Sequence, residues 1–208
     1  MPSILRIRWA IAPKTAPRPH LNCNRCGGLN AYRCSGKFRV NANGKRIDAW
    51  LIYRCIDCDN SWNFGILERC NRRDIEPALL QALECNDPVL ARRHAFDIAA
   101  LRSRIGRVEE SPEAAVHKQV LGDRPENTAG LELQLELEMP TALRLDRLLA
   151  NELGISRSRL QVWEEKRLLA VGPDGAKALR RPARAGTAIR IDLSSDPDRD
   201  GIIAAAGG

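Results

Sequence analysis

The chain has 208 residues, 44% of them hydrophobic, which is enough for two small globular cores and excludes a wholly disordered chain. Its net charge of +7 is unevenly spread: residues 1–75 carry 14 Lys/Arg against 5 Asp/Glu, residues 76–140 carry 7 against 12, and residues 141–208 carry 12 against 9. Basic ends suit a polyanionic partner, nucleic acid the commonest, or serve solubility alone, and no apolar run approaches the roughly 18 residues that a membrane span needs.

In chain order, "ILRIRWAIA" alternates as a strand, with Leu5, Ile7 and Trp9 on one side. It is short, is broken by Arg6 and Arg8 and lacks a cleavage site, so neither a signal peptide nor a membrane contact is expected, and the location predicted is cytoplasmic. Pro13, Pro17 and Pro19 force an extended connection. "KFRVNANGKRIDAWLIY" reads as a hairpin turning at Asn43-Gly44. Residues 71–105 read as helical in two pieces, one from Asp74 and one capped at Asn86 or Asp87 with Pro88 in its first turn. Residues 106–130 lack periodicity and are assigned as a linker. "LELQLELEM" then alternates with Leu131, Leu133, Leu135 and Leu137 on one face, the pattern of a half-buried strand. Residues 195–208 are expected to be a disordered tail.

Seven cysteines, all between residues 23 and 85, make a poor disulfide framework and a reasonable reduced, metal-binding one. Cys23 and Cys26, in "CNRCGG", and Cys55 and Cys58, in "YRCIDC", form two C-x-x-C turns separated by the predicted hairpin. A tetrahedral zinc ion takes four thiolates in this arrangement, and with no open position such an ion is structural. Glycines after the first pair allow backbone N–H groups to approach sulfur, and Arg25, Arg33 and Arg54 offset the site's negative charge. An iron–sulfur cluster uses the same ligands; a redox pair and buried core cysteines are further readings of the same residues. Cys34, Cys70 and Cys85 have no partner at useful spacing and are expected as small buried residues. His20, three residues before Cys23, is a spare-ligand candidate.

The stretch from "CNRCGG" through "KFRVNANGKRIDAWLIYRCIDCDNSWN" to "NDPVLARRHAFD" resembles bacterial domain-of-unknown-function family number 1062 over about residues 4–105. The resemblance implies a zinc-ribbon-like module over 1–70 with a helical extension over 71–105, and it implies no activity.

Farther on, Leu145, Leu148, Leu149 and Leu153 give one helix an apolar stripe; Gly154 ends it, and Ser156 caps a second helix with Arg157 and Arg159 in its first turn. "LLAV" and "TAIRIDL" supply strands, and "KALRRPARAG" between them holds Lys177, Arg180, Arg181 and Arg184 with no acid. Residues 131–194 resemble the small RNA-binding domain found in the fourth protein of the small ribosomal subunit, through Arg144-Leu145-Asp146, Ser156-Arg157 and Gly186 before the last strand. They depart from it at Arg167, where glycine is common, at the "VGPDG" turn, and at Thr187 in place of aspartate. The resemblance implies RNA contacts from Arg144, Arg157, Arg159, Lys177, Arg180, Arg181 and Arg184.

The ribbon offers a second basic surface. Lys37, Arg39 and Asn41 point outward if Phe38 and Val40 point inward, and Tyr32, Trp50, Tyr53, Trp62 and Phe64 either stack on bases or fill the ribbon's core. The expectation is a two-module α+β protein: a zinc ribbon with helical extension, then a two-helix-plus-sheet module. It binds nucleic acid, RNA favoured, with a ribosomal or protein partner and one structural zinc ion. The alternative is a zinc-ribbon protein-interaction adaptor. No Ser/His/Asp set, phosphate-binding glycine loop or open metal position is legible, so neither an enzyme nor a small-molecule substrate is expected.

Overall fold

A computed structural model describes residues 3–125, 127–173 and 177–208. Among these the chain is mixed α+β, with two five-stranded sheets and six α-helices. It divides into two compact units: a host unit of residues 1–15 and 111–208, and an inserted unit of residues 16–110.

The host sheet begins with β1 (Ser3–Pro13), whose inward residues Leu5, Ile7, Trp9 and Ile11 are buried. This strand was expected within the N-terminal ribbon-like module, and that boundary is corrected: β1 lies inside the host sheet, in the order β7-β1-β8-β10-β9. It runs antiparallel to β7 (Ala114–Val120) and parallel to β8 (Thr128–Leu137). A parallel neighbour needs a long crossover, and the inserted unit together with β7 supplies it. β7 falls inside the region read as a linker. It is an edge strand, half-covered or exposed along its length, so its order comes from backbone pairing with β1, which leaves no periodic signature.

Leu131, Leu133 and Leu135 of β8 are buried as the alternation predicts. Beyond β8 come α4 (Leu145–Leu153), α5 (Arg157–Glu165), β9 (Leu169–Gly172) and β10 (Ala188–Asp192). Gly154 closes α4 in the left-handed conformation (φ 67°), and the Ser156 hydroxyl accepts a hydrogen bond from the Arg159 amide to cap α5. Both devices were legible in the sequence. The expected disordered tail is instead α6 (Arg199–Gly207). Its Ile202, Ile203 and Ala206 join the core of β1, β8 and α4, the Trp9 indole donates to the Ala206 carbonyl at 3.0 Å, and Lys118 Nζ donates to the Ala205 carbonyl at 2.7 Å. Glycine-flanked alanines looked like a tail, yet alanine is the strongest helix former and two isoleucines suffice to dock the helix.

In the inserted unit the sheet order is β5-β4-β3-β2-β6. Its strands are β2 (Arg18–Cys23), β3 (Gly28–Asn43), β4 (Arg46–Cys55), β5 (Ser61–Asn71) and β6 (Val108–Glu109). The predicted hairpin is β3–β4, with Asn43 paired to Arg46. Gly44 stands first of the two turn residues at φ 60°, so the turn centre lies one residue beyond the expected Asn-Gly pair. The helical stretch forms three helices rather than two: α1 (Pro77–Glu84), α2 (Pro88–Ala95) and α3 (Ile98–Arg104). Asp87 and Asp97 cap α2 and α3 by accepting from the amides of Leu90 and Ala100. Leu83, Ala91, Ala95 and Leu101 from these helices cover Tyr32, Phe38, Leu51, Tyr53 and Phe64 on one face of the sheet. The insert is closed at its base, where Pro19 pairs with Val108 and Arg18 with Glu109.

Candidate functional site

Two C-x-x-C turns with the same backbone plan meet at the end of the inserted sheet. In the first, which joins β2 to β3, the Gly27 amide donates to the Cys23 carbonyl at 2.8 Å; in the second, which follows β4, the Asp59 amide donates to the Cys55 carbonyl at 3.0 Å. The residue after each second cysteine is left-handed, Gly27 at φ 75° and Asp59 at φ 58°. Aspartate tolerates that region better than most side chains. Each turn therefore aims two thiols the same way, and the β3–β4 pairing, which sets Tyr32 opposite Cys55, brings the turns together.

All four ligand atoms, the Sγ of Cys23, Cys26, Cys55 and Cys58, lie within 4.8 Å of one another. Cys23 and Cys58 are 3.5 Å apart and Cys26 and Cys55 3.9 Å apart, sulfur to sulfur. A tetrahedron with metal–sulfur bonds of about 2.3 Å has edges of about 3.8 Å, so the four cysteines fit a single ion. Crowding splits the thiols electrostatically: a hydrogen bond from Tyr32, with help from the Cys26 and Arg25 amides, holds Cys23 down to about 5. The hydrogen bond with Cys58 and desolvation push Cys26 up to about 12. A cation at the centre offsets that mutual repulsion and lets all four ionise.

Two asparagines cross between the turns, and sequence reasoning missed both. Asn30 Nδ2 donates to Cys55 Sγ, and Asn60 Nδ2 donates to Cys23 Sγ, each at 3.7 Å. Each amide follows one turn and reaches a sulfur of the other, an outer shell that orients ligands and spreads their charge. The three arginines expected to offset the site's charge act on the second turn instead: Arg25 donates to the Cys58 carbonyl, Arg54 to the Asp59 carbonyl, and Arg33 pairs with the Asp59 carboxylate. His20 is not in the thiol group; its Nε2 lies 2.8 Å from Glu109. Of the cysteines expected to be small buried residues, Cys34 and Cys70 are half-buried and Cys85 is exposed.

In the host unit, the first turn of α4 holds the buried carboxylate of Asp146. Arg144 grips it with two hydrogen bonds, at 3.1 and 2.6 Å, and Arg157 Nε lies 3.4 Å away. Arg144 also forms a bridge with Pro182, flanked by hydrogen bonds from the Leu145 amide to the Arg181 carbonyl and from the Ala183 amide to the Leu143 carbonyl. This tie draws the backbone of the basic segment to the start of α4, where Arg144 and Arg157 share one acid. Lys177, Arg180, Arg181 and Arg184 are exposed.

Arg159 is placed differently from the rest. Its guanidinium spans Asp196 at 2.6 Å and Asp198 at 2.7 Å and lies 5.3 Å from the Trp163 ring centre. Those aspartates belong to the stretch read as a tail. Arg167 is left-handed at φ 60°, and Gly186 at φ 77°, so an arginine holds a backbone position that suits glycine. Residues 174 and 175 of the "VGPDG" turn, with residue 176 after it, lie outside the described residues.

The model of the family described as a protein of unknown function, DUF1062, matches residues 40–172, and the chain belongs to that family. The matched span starts within β3 and ends at β9, so it runs through parts of both units and extends beyond residue 105, where the resemblance was placed. No curated protein and no solved structure matches the chain.

Proposed function

We propose that this protein is a non-catalytic RNA-binding protein of the cytoplasm. In this reading α4, α5, β9 and β10 with the basic segment 177–184 form the RNA-contacting module, and Cys23, Cys26, Cys55 and Cys58 hold one structural zinc ion. The observation that carries the RNA reading is the pairing of Arg144 and Arg157 on the buried Asp146, with the backbone of the basic segment 177–184 bridged to Arg144. Pairing fixes Arg144 and Arg157 but leaves them 44% and 56% exposed, and the cluster keeps an excess of positive charge suited to phosphate. Arg157 also stands at the N-terminal end of α5, where the helix dipole favours an anion. Arg144, Arg157, Lys177, Arg180, Arg181 and Arg184 remain candidate phosphate contacts, whereas Arg159 works first as the anchor of the segment before α6.

The zinc reading rests on the donor set. Four thiols at tetrahedral spacing suit zinc, which has no redox role and no open position here. No helix among the described residues is long and apolar enough to cross a membrane. One observation favours the adaptor reading: Leu29 and Ile56, beside and within the thiol turns, are 54% and 47% exposed, and exposed apolar side chains at a rigid tip suit a protein contact.

The test is fluorescence anisotropy of a labelled RNA hairpin with the intact chain and with Arg157→Glu/Arg181→Glu. The reading expects affinity to fall at least tenfold and the salt dependence to flatten. Equal affinity and slope in the two proteins would remove those arginines from the interface.

A further inference from the structure

The inserted sheet has one face covered by α1 to α3 and another that carries charge. On β3 and β4 the covered face is lined by Tyr32, Phe38, Ala49, Leu51 and Tyr53. The opposite face presents Arg33, Lys37 and Arg39 from β3, and Arg46, Trp50 and Arg54 from β4, by the two-residue alternation of the strands. The structure thereby sorts the aromatics: Tyr32, Tyr53 and Phe64 are buried, and Trp62 packs on Tyr53 with ring centres 5.4 Å apart. Trp50 alone of the five faces this outer row of cations, while Phe64, on the covered face, has Arg104 5.4 Å from its ring centre.

Two cross-strand pairs make this face unusual. Arg39 is directly opposite Trp50, with its guanidinium carbon 6.0 Å from the ring centre. Arg33 is directly opposite Arg54, a like-charge pairing that destabilises a sheet unless an anion attends it. One residue attends both: the Asp59 carboxylate takes Arg33 and the Asp59 carbonyl takes Arg54. Because Asp59 follows Cys58 in the second thiol turn, the metal centre fixes the residue that holds this arginine pair. Asp48 is a second acid on β4, and its carboxylate already accepts the Arg69 amide at 2.7 Å. From Arg46 to Arg54 the row is about 27 Å long at the rise of an extended strand, enough for about four nucleotides of single strand.

We infer that the outer face of β3–β4 is a second RNA surface, a track for single-stranded RNA. Trp50 is its stacking platform, Arg39 lies against the ring and turns to phosphate when a base takes its place, and Arg33 and Arg54 hold the backbone at the thiol end. The inference rests on the RNA-binding reading above but uses a surface independent of α4, α5 and segment 177–184. Trp50 is half-buried, and stacking on a ring tolerates any base, so this face contributes affinity for unpaired RNA rather than sequence choice.

The test uses the intact, metal-loaded chain and two labelled probes: an unpaired oligonucleotide of about 12 residues, within the range such grooves take, and the RNA hairpin used above. Trp50→Ala weakens binding of the unpaired probe about tenfold, and Trp50→Phe, which keeps a ring, restores most of it. Arg39→Gln/Arg54→Gln lowers the slope of log affinity against log salt by about 1.4, or roughly 0.7 for each single-strand phosphate that is no longer neutralised. The two Trp50 variants keep the parent's metal content and hairpin affinity; Arg39→Gln/Arg54→Gln, which gives up a bond to the second thiol turn, is compared with the parent at equal metal loading and keeps its hairpin affinity. If Trp50→Ala and Arg39→Gln/Arg54→Gln bind the unpaired probe as the parent does, the track is overturned, while a hairpin affinity that still depends on Arg157 and Arg181 leaves the first reading standing. If the parent binds neither probe, both fall together.

Discussion

The host and inserted units solve the same problem with different materials. The host unit builds a broad hydrocarbon core: Ile and Leu from β1, β8 and β10 meet Leu145, Leu148, Leu149 and Leu153 of α4 and the isoleucines of α6. The inserted unit has a smaller core of aromatics, alanines, Leu51, Leu83, Leu101 and two of the thiols, plus a separate small cluster around Ile47, Ile75 and Leu80. Its three helices are only 8, 8 and 7 residues long, too short to persist without packing. The difference teaches where a bound metal would count most: the smaller core gains more from a cross-link, and the four clustered thiols are placed to tie the β2–β3 turn to the end of β4.

That contrast breaks first at the metal. Chelation, or Cys55→Ser, removes coordination energy on the order of 10 kcal/mol and unfolds residues 16–110 while the host unit stays folded. Amide exchange followed by NMR checks it; loss of protection in β1 and β8 at the same chelator concentration would deny the two units their separate sources of stability. The reciprocal experiment is Leu133→Ala, at a fully buried site of β8. It costs the host about 3 kcal/mol by transfer and cavity terms, with metal content unchanged in the purified variant. Asn60→Ala sharpens the picture of the thiol centre: loss of the bond to Cys23 Sγ weakens metal affinity about tenfold in a chelator competition, with the apparent melting temperature of the host unaltered.

The smallest expected effect concerns Arg159. Asp196→Asn/Asp198→Asn removes a partly exposed double ion pair, which contributes about 1 kcal/mol to docking of the segment before α6. The same change releases a guanidinium beside α5, so RNA affinity rises a few-fold as stability falls. A drop in affinity would mean that Arg159 must be held in place to serve the interface.

Much of this molecule was legible from residues alone where a local rule and the final packing agree. The Gly154 stop, the Ser156 cap, the alternating leucines of β8 and the paired cysteines each carry their meaning within a few residues. What escaped was non-local. β1 reads correctly as a strand, but nothing in "ILRIRWAIA" says that its partners are β7 and β8, more than a hundred residues away. The edge strand β7 and the alanine-rich α6 draw their order from neighbours and carry little pattern of their own. At the site, Asn30 and Asn60 occupy different offsets from their cysteines, so only the folded turns show that each amide reaches the opposite thiol. Arg159 looked like its neighbours in the sequence because the aspartates that hold it lie in what read as a tail.

A truncation near Gly130 would remove β8, the parallel partner of β1, so point substitution is the sounder probe of the interface. The most direct test of the RNA-binding claim is crosslinking in cells with nuclease-controlled recovery of bound RNA, comparing the intact chain with Arg157→Glu/Arg181→Glu. The account predicts RNA recovered with the intact chain and largely lost from the variant, with metal content equal in both. Absence of RNA from both, together with protein partners that survive nuclease, would contradict it and favour an adaptor that works through the exposed Leu29 and Ile56.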